Sequence, residues 1–152
     1  MNILLIYASN SGGTFLSSGI IVDVLKKHQH SVVVKNVREA DPSEIGNYDL
    51  IILGSPSWDY QGKEGQPHQD YLPFLEKAKD KNFPGKPFAI YGLGDSSFAY
   101  FTGAVDHLEN FVKNIGGKLI TTSLRIDGFY FDQENNEKKV TDWAEDLATK
   151  IA

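Results

Sequence analysis

Short apolar segments alternate with segments of helical periodicity along the whole of this chain. The first apolar segment, Asn2–Tyr7, is nearly continuous, as is typical of a strand buried on both faces. The segment 15–27 then repeats its apolar residues at spacings of three and four, which predicts an amphipathic helix. Strands that alternate with helices form a parallel sheet covered by helices on both faces. The alternation therefore predicts an α/β protein, a three-layer α/β/α sandwich.

The same two patterns recur and predict a five-stranded parallel sheet. The predicted strands are 2–7, 31–37, 48–53, 86–91 and 118–122, and residues 123–126 could continue the last one. The predicted helices are 15–27, a short helix with Asp41 as N-cap and Pro42 at its first position, 68–79, 104–115, and a last helix from residue 135. Gly116 and Gly117 supply the stop signal after the helix 104–115.

The length of the chain and its net charge limit the number of domains and the kinds of partner to be expected. The chain has 152 residues, 41% of them hydrophobic, which predicts one globular domain spanning residues 1–152. Its net charge of −5 argues against nucleic acid or an anionic membrane as a partner, because both attract basic surfaces.

The chain has no cysteine, which excludes disulfides, thiolate catalysis and iron–sulfur clusters. No apolar run approaches the ~20 residues that cross a bilayer, so we expect a cytoplasmic protein.

Three loops rich in glycine and hydroxyl residues each follow a predicted strand. They are residues 9–14, 55–62 and 92–103, after the first, third and fourth strands. The carboxyl ends of parallel strands lie at one edge of the sheet, where ligands bind in open α/β folds. We therefore expect the three loops to converge on one cleft.

The first loop, SNSGGT, is a candidate anion site. Its hydroxyls and backbone N–H groups stand at the start of a predicted helix, where the helix dipole favours negative charge. It is neither a Walker loop nor a GxGxxG motif. The alternative is an ordinary strand-to-helix turn with Thr14 as N-cap.

The other two loops carry aromatic residues but no Lys or Arg. Trp58 could stack on a planar ring, and Phe98 or Tyr100 could supply a second plate. The alternative is that these rings are packing residues. Asp59 and Asp95 are the only charged residues of the three loops. Phosphoryl transfer needs cations or bound Mg²⁺, so the cleft is suited to holding a phosphate rather than cleaving one.

Together the three loops closely resemble those of the flavodoxin family. SNSGGT resembles the phosphate loop, GSPSW the loop with the inner aromatic residue, and the segment from Gly92 to Ile120 the outer flavin loop with its following helix. The resemblance covers essentially the whole chain and implies the strand order 2-1-3-4-5. Residues 118–126 lack an insertion of about twenty residues that splits the fifth strand in long-chain members, so the chain resembles the short-chain type.

The resemblance implies non-covalent binding of FMN and transfer of single electrons. The phosphate loop, helped by Ser57, would hold the phosphate; Trp58 would cover the inner face of the flavin ring and Phe98 the outer face. Asp95 would meet the pyrimidine end through its backbone N–H, beside Gly94 and Tyr100. The cofactor-binding residues expected on this basis are Ser9, Asn10, Ser11, Gly12, Gly13, Thr14, Ser55, Pro56, Ser57, Trp58, Asp59, Gly62, Leu93, Gly94, Asp95, Phe98, Tyr100, Phe101 and Thr102.

Three residues depart from the family pattern. Phe98 replaces the usual Tyr at the outer face, and Pro56 stands where many short-chain members have Ser. Asp59 stands where many have Gly. The family flips this peptide on one-electron reduction, and the flipped turn requires a positive φ that Gly tolerates better than Asp. We therefore expect a less stabilised one-electron-reduced flavin.

The resemblance further implies a monomeric carrier, not an enzyme, that exchanges electrons with a reductase and an acceptor protein through their basic patches. One alternative is an FMN-dependent quinone reductase of the same fold, although those are usually longer and oligomeric. Another is a specialised flavodoxin-like activator of a metalloenzyme. A signalling receiver domain is set aside, because the first strand is followed by Ala8, Ser9 and Asn10 rather than an acidic pair.

Overall fold

The computed structural model of the chain describes residues 1–57, 63–97 and 101–152, and the backbone of residues 58–60. Within these residues, seven strands form one sheet. They are β1 (Asn2–Tyr7), β2 (Ser31–Asn36), β3 (Leu50–Tyr60), β4 (Lys63–Pro67), β5 (Pro87–Gly94), β6 (Lys118–Leu119) and β7 (Leu124–Asp127). The helices are α1 (Gly13–Lys27), α2 (Tyr71–Ala78), α3 (Gly103–Asn114) and α4 (Gln133–Lys150). Short 3₁₀ helices span Val37–Glu39, Pro42–Asn47 and Phe129–Asp132.

The main sheet has the strand order β2-β1-β3-β5-β6, with β7 also paired to β5. All these pairs are parallel. Counted over the five predicted strands this is the order 2-1-3-4-5, so the predicted α/β fold is confirmed. The order reverses between β1 and β3, which is where ligands bind in doubly wound sheets.

The central strands β1, β3 and β5 contribute to two hydrophobic cores, one on each face of the sheet. In β1, Ile3 and Leu5 pack with α1 and α4, whereas Leu4 and Ile6 pack with α2 and α3. Successive side chains of a strand point to opposite faces, so a strand covered on both sides has to be apolar at nearly every position. This is the physical origin of the continuous apolar runs in the sequence.

The third strand is longer than predicted, and a further strand pairs with its end. It runs beyond the predicted 48–53 segment to Tyr60, and β4 pairs antiparallel with its end, Trp58 lying opposite Gln66. The residues of β4 are mostly polar and have no apolar pattern, so the sequence predicted no strand there. The hairpin brings residues 63–67 to the carboxyl edge of the sheet.

The fifth predicted strand is divided in two. β6 and β7 are separated by residues 120–123, in place of one strand over 118–122. The separation of four residues agrees with the expected lack of a long insertion. α2 begins at Tyr71 rather than 68, and Pro73 stands in its first turn, where a missing N–H costs little.

Two predicted helix boundaries are confirmed by their capping geometry. Asp41 caps the 3₁₀ helix Pro42–Asn47 and forms a capping box with Glu44. Gly116, after α3, adopts φ +84°, a conformation that favours glycine. No helix among the described residues is long and apolar enough to span a membrane.

Candidate functional site

A cavity of about 320 Å³ lies at the carboxyl ends of β1, β3 and β5. All three predicted loops contribute to it, so their expected convergence on one cleft is confirmed. Predicted site residues that line it are Asn10, Ser11, Gly13, Thr14, Pro56, Ser57, Leu93, Gly94, Asp95 and Phe101. Residues Ser9, Gly12, Ser55 and Thr102 lie next to the lining residues along the chain and support them through the contacts described below.

Five predicted site residues are not covered in full. Gly62, Phe98 and Tyr100 lie outside the described residues, and for Trp58 and Asp59 only the backbone is described. The stacking roles expected for Trp58 and Phe98 therefore remain predictions.

The first loop turns into α1 at Gly12. Gly12 has φ +94° and its carbonyl accepts the first helical hydrogen bond, from the Leu16 N–H at 2.9 Å. The alternative interpretation, with Thr14 as N-cap, is wrong on this point, because Gly12 occupies the N-cap position and the helix begins at Gly13. Helix α1 thus presents its first N–H groups beside Asn10 and Ser11, and such groups have no partner within the helix. The arrangement suits an anion.

Helix α1 is fixed to the sheet just behind this N-terminus. The Ser18 hydroxyl donates to the Thr14 carbonyl at 2.7 Å and is hydrogen-bonded to the Tyr91 hydroxyl of β5. Both side chains are buried, and burial raises the pKa of the Tyr91 hydroxyl. The contact holds the helix dipole in a fixed direction relative to the cavity.

The second loop uses its hydroxyls to join neighbouring elements. Ser55 donates to the Pro56 carbonyl at 2.8 Å and accepts from the His68 N–H at 2.9 Å. Ser57 accepts from the Ala104 N–H in the first turn of α3, at 3.1 Å. The Ser57 hydroxyl still has its own proton to donate, and this residue lines the cavity.

The third loop is folded around the Asp95 carboxylate. It accepts from the Ser97 N–H at 2.9 Å and from the Ser97 hydroxyl at 2.7 Å. These hydrogen bonds lower the pKa of Asp95. Thr102, at the end of the loop, is buried and accepts from Arg125 through both its carbonyl and its hydroxyl oxygen.

Sequence reasoning missed two contributors to the cavity. One is Glu64 with Gly65, on strand β4, which lies outside every predicted strand, helix and loop. The other is the segment 128–131, which follows β7 and carries three aromatic residues after Gly128. The rule used for the other loops would have found this segment, since β7 is a fourth parallel strand ending at the same edge.

The described lining is mostly apolar and contains no cation. Its charged residues are Glu64 and Asp95. The Oε2 atom of Glu64 is buried and has no hydrogen-bond partner among the described residues. A buried acceptor without a donor is costly, so a ligand N–H or O–H group that reached this oxygen would be favoured. Neutral donors at one end, apolar walls and this acceptor together fit a ligand with an anionic group and a ring that carries hydrogen-bond donors.

The sequence and the fold both match known flavodoxins. Residues 5–143 match the family model described as Flavodoxin. The chain is 31% identical to a flavodoxin of Maridesulfovibrio salexigens over 149 residues, 97% of each chain. Its fold matches oxidised flavodoxin 2 of Bacillus cereus with a TM-score of 0.85 and 29% identity, over 97% of each chain.

A further solved structure is a K13G mutant flavodoxin of Fusobacterium nucleatum, bound to flavin mononucleotide. It has a TM-score of 0.75 and 24% identity, and the match covers 93% of this chain and 92% of that one. At this identity the match shows the fold alone. The family match and the relatives of nearly equal length agree on one conclusion: this chain belongs to the flavodoxin family, whose members are electron-transfer proteins.

Proposed function

We propose that this chain binds FMN non-covalently in the cavity and carries single electrons between a reductase and an acceptor protein. The observation that carries the proposal is the cavity itself. At one edge of the sheet it brings together the N-terminus of α1, apolar walls and the Glu64 carboxylate, one oxygen of which is buried, with no Lys or Arg in its described lining. When bound, FMN supplies a redox centre that exchanges electrons one at a time.

The phosphate would be held by the first N–H groups of α1, at Gly13 and Thr14, with the hydroxyls of Ser11 and Thr14. Ser11, Gly13 and Thr14 line the cavity, and α1 points its positive end at them. A phosphate held only by neutral donors keeps its charge and is not activated for transfer. This chemistry supports a binding role rather than a hydrolytic one.

The ring would lie against the apolar part of the cavity, between Trp58 and Phe98. Leu93, Phe101 and Phe129 supply the described apolar surface. Such walls exclude water, which makes it costly to place a negative charge on the ring. The walls therefore favour electron transfer at a low potential.

Glu64 and Asp95 add to this effect through their charge. A carboxylate about 7 Å from an added electron destabilises it by roughly 2.4 kcal/mol at an effective dielectric near 20. For one electron this is on the order of 100 mV. Glu64 is the stronger candidate, because its Oε2 atom is buried whereas the Asp95 carboxylate is turned to Ser97.

The partners proposed are redox proteins with basic docking patches. The net charge of −5 favours such partners and, being modest, gives weaker long-range steering than a strongly acidic protein would have. We propose a monomer that works in the cytoplasm. Association with the reductase should slow as salt is added, because exposed charges are screened beyond about 8–10 Å.

The test is a titration of the flavin-free protein with FMN, followed by an assay of the loaded protein. We expect tight one-to-one binding that quenches flavin fluorescence. The loaded protein should pass electrons from a flavodoxin reductase to a one-electron acceptor. It should show no turnover of quinones with a nicotinamide donor alone. Absence of FMN binding would contradict the proposal, and rapid quinone turnover would favour the quinone reductase instead.

A further inference from the structure

The peptide unit between Ser11 and Gly12 is held at both of its ends. The Tyr130 hydroxyl donates to the Ser11 carbonyl oxygen at 2.7 Å. The Gly12 N–H donates to the Ser9 Oγ atom at 3.2 Å. A trans peptide is planar and its C=O and N–H point in opposite directions, so these two bonds fix the orientation of the plane. Tyr130 thus acts on the loop that precedes α1 from a distant part of the sequence.

Tyr130 is itself firmly supported. It lies in the 3₁₀ helix Phe129–Asp132, and its ring packs edge-on against Phe129 with a centroid distance of 5.2 Å. Phe129 is buried. The buried Asn136 of α4 donates its side-chain amide to the carbonyl oxygens of residues 127, 128 and 129 at 3.2–3.3 Å. The hydroxyl is therefore carried on a braced turn rather than on a loose one.

The Ser11 carbonyl is an unfavourable neighbour for an anion. Its oxygen carries partial negative charge, and both Ser11 and Tyr130 line the cavity. A hydroxyl that donates to this oxygen offsets part of that charge and prevents the peptide from rotating its carbonyl toward the anion. The N–H groups that follow in α1 are then already arranged for a phosphate before it binds, which reduces the entropy lost on binding.

We propose that Tyr130 is a positioning residue for the phosphate group of the ligand, acting through the Ser11 carbonyl. This inference rests on the proposed function, because it takes FMN as the ligand. It predicts a specific selectivity: Tyr130 strengthens the binding of a flavin that carries a phosphate monoester and leaves the binding of the same flavin without it unchanged.

The experiment compares FMN with riboflavin, which lacks the phosphate, on flavin-free protein. The variant Tyr130→Phe keeps the ring and its packing but removes the donor. Tyr48→Phe is the matched control, since Tyr48 precedes β3 at the opposite, amino-terminal edge of the sheet. Dissociation constants from fluorescence quenching and the unfolding midpoint are measured for each protein.

For Tyr130→Phe we expect the FMN dissociation constant to rise roughly five-fold, the usual effect of one neutral hydrogen bond. The riboflavin constant should stay the same, and Tyr48→Phe should change neither. Equal weakening of both ligands, or an unchanged FMN constant, would overturn the role of Tyr130 while leaving FMN binding intact. A wild-type protein that binds neither flavin would overturn the proposed function and this inference together.

Discussion

Gly94 and Phe101 approach each other so closely that no side chain fits between them. A Cβ atom on residue 94 would lie 1.8 Å from the carbonyl oxygen of Phe101. This contact closes the third loop against the end of β5, and both residues line the cavity.

Gly94→Ala should therefore weaken FMN binding roughly five-fold or more, because the loop has to move to relieve the overlap. Overpacking of this kind typically costs about 1–3 kcal/mol. The measurement is the FMN dissociation constant by fluorescence quenching. Gly19→Ala is the control, since Gly19 is an exposed residue of α1 with no atom within 4 Å of the added methyl group. The control should bind FMN normally and unfold at a slightly higher temperature, because Ala is the better helix former. Equal affinities for the two variants would contradict this account of the loop.

Glu64→Gln should raise the lower one-electron potential of the bound flavin by roughly 50–100 mV. The substitution removes a negative charge from the cavity while keeping the shape of the side chain. The potential is measured by anaerobic titration against reference dyes. Glu76→Gln makes the same change of charge on an exposed residue of α2 away from the cavity and should leave the potential within a few tens of millivolts. A shift of the same size in both variants would mean that net charge, rather than the Glu64 carboxylate in the cavity, sets the potential.

Acid should destabilise the protein through the capping box at Asp41 and Glu44. The Ser43 N–H and hydroxyl lower the pKa of Asp41, and the Lys35 ammonium and the Asp41 N–H lower the pKa of Glu44. A carboxyl whose pKa is lower in the folded than in the unfolded state stabilises the fold above its unfolded value and loses that effect as the pH falls. The free energy of unfolding should thus decrease below about pH 4.5, the ordinary value for Glu.

Urea unfolding at pH 7 and pH 3 measures this effect. The double variant Asp41→Asn, Glu44→Gln should show a smaller loss between the two pH values than the wild type. The exposed Glu76→Gln variant should behave as the wild type. An identical loss in the double variant would assign the acid sensitivity to other carboxylates.

Asp59→Gly should increase the yield of one-electron-reduced flavin. This prediction rests on the resemblance to the flavodoxin family, in which the peptide after the inner aromatic residue flips on reduction. Gly adopts the required positive φ without strain, and Asn does so more readily than most residues. The yield, measured by absorbance during stepwise reduction, should rise in the order Asp, Asn, Gly. An unchanged yield in Asp59→Gly would remove Asp59 from the account of the redox chemistry.

The sequence predicted the sheet because its core strands are apolar at nearly every position. In Asn2–Tyr7 the run of apolar residues reflects the position of the strand in the fold, because both of its faces are covered. The convergence of three loops followed from a general property of parallel sheets. These features needed no knowledge of individual contacts.

The missed features depend on tertiary contacts. Strand β4 is polar and owes its conformation to pairing with the end of β3, which no local pattern reveals. The start of α1 depends on one backbone angle at Gly12. Tyr130 reaches the first loop across more than a hundred residues of sequence, and only the folded chain brings its hydroxyl to Ser11.

We infer that the cavity holds FMN as a one-electron centre. The most direct measurement is the visible spectrum of the FMN-loaded protein during stepwise anaerobic reduction with dithionite. We predict a yellow complex that passes through a long-wavelength absorbing, one-electron-reduced form before it bleaches fully. Conversion to the fully reduced flavin in a single two-electron step, or a protein that does not retain FMN, would contradict the account.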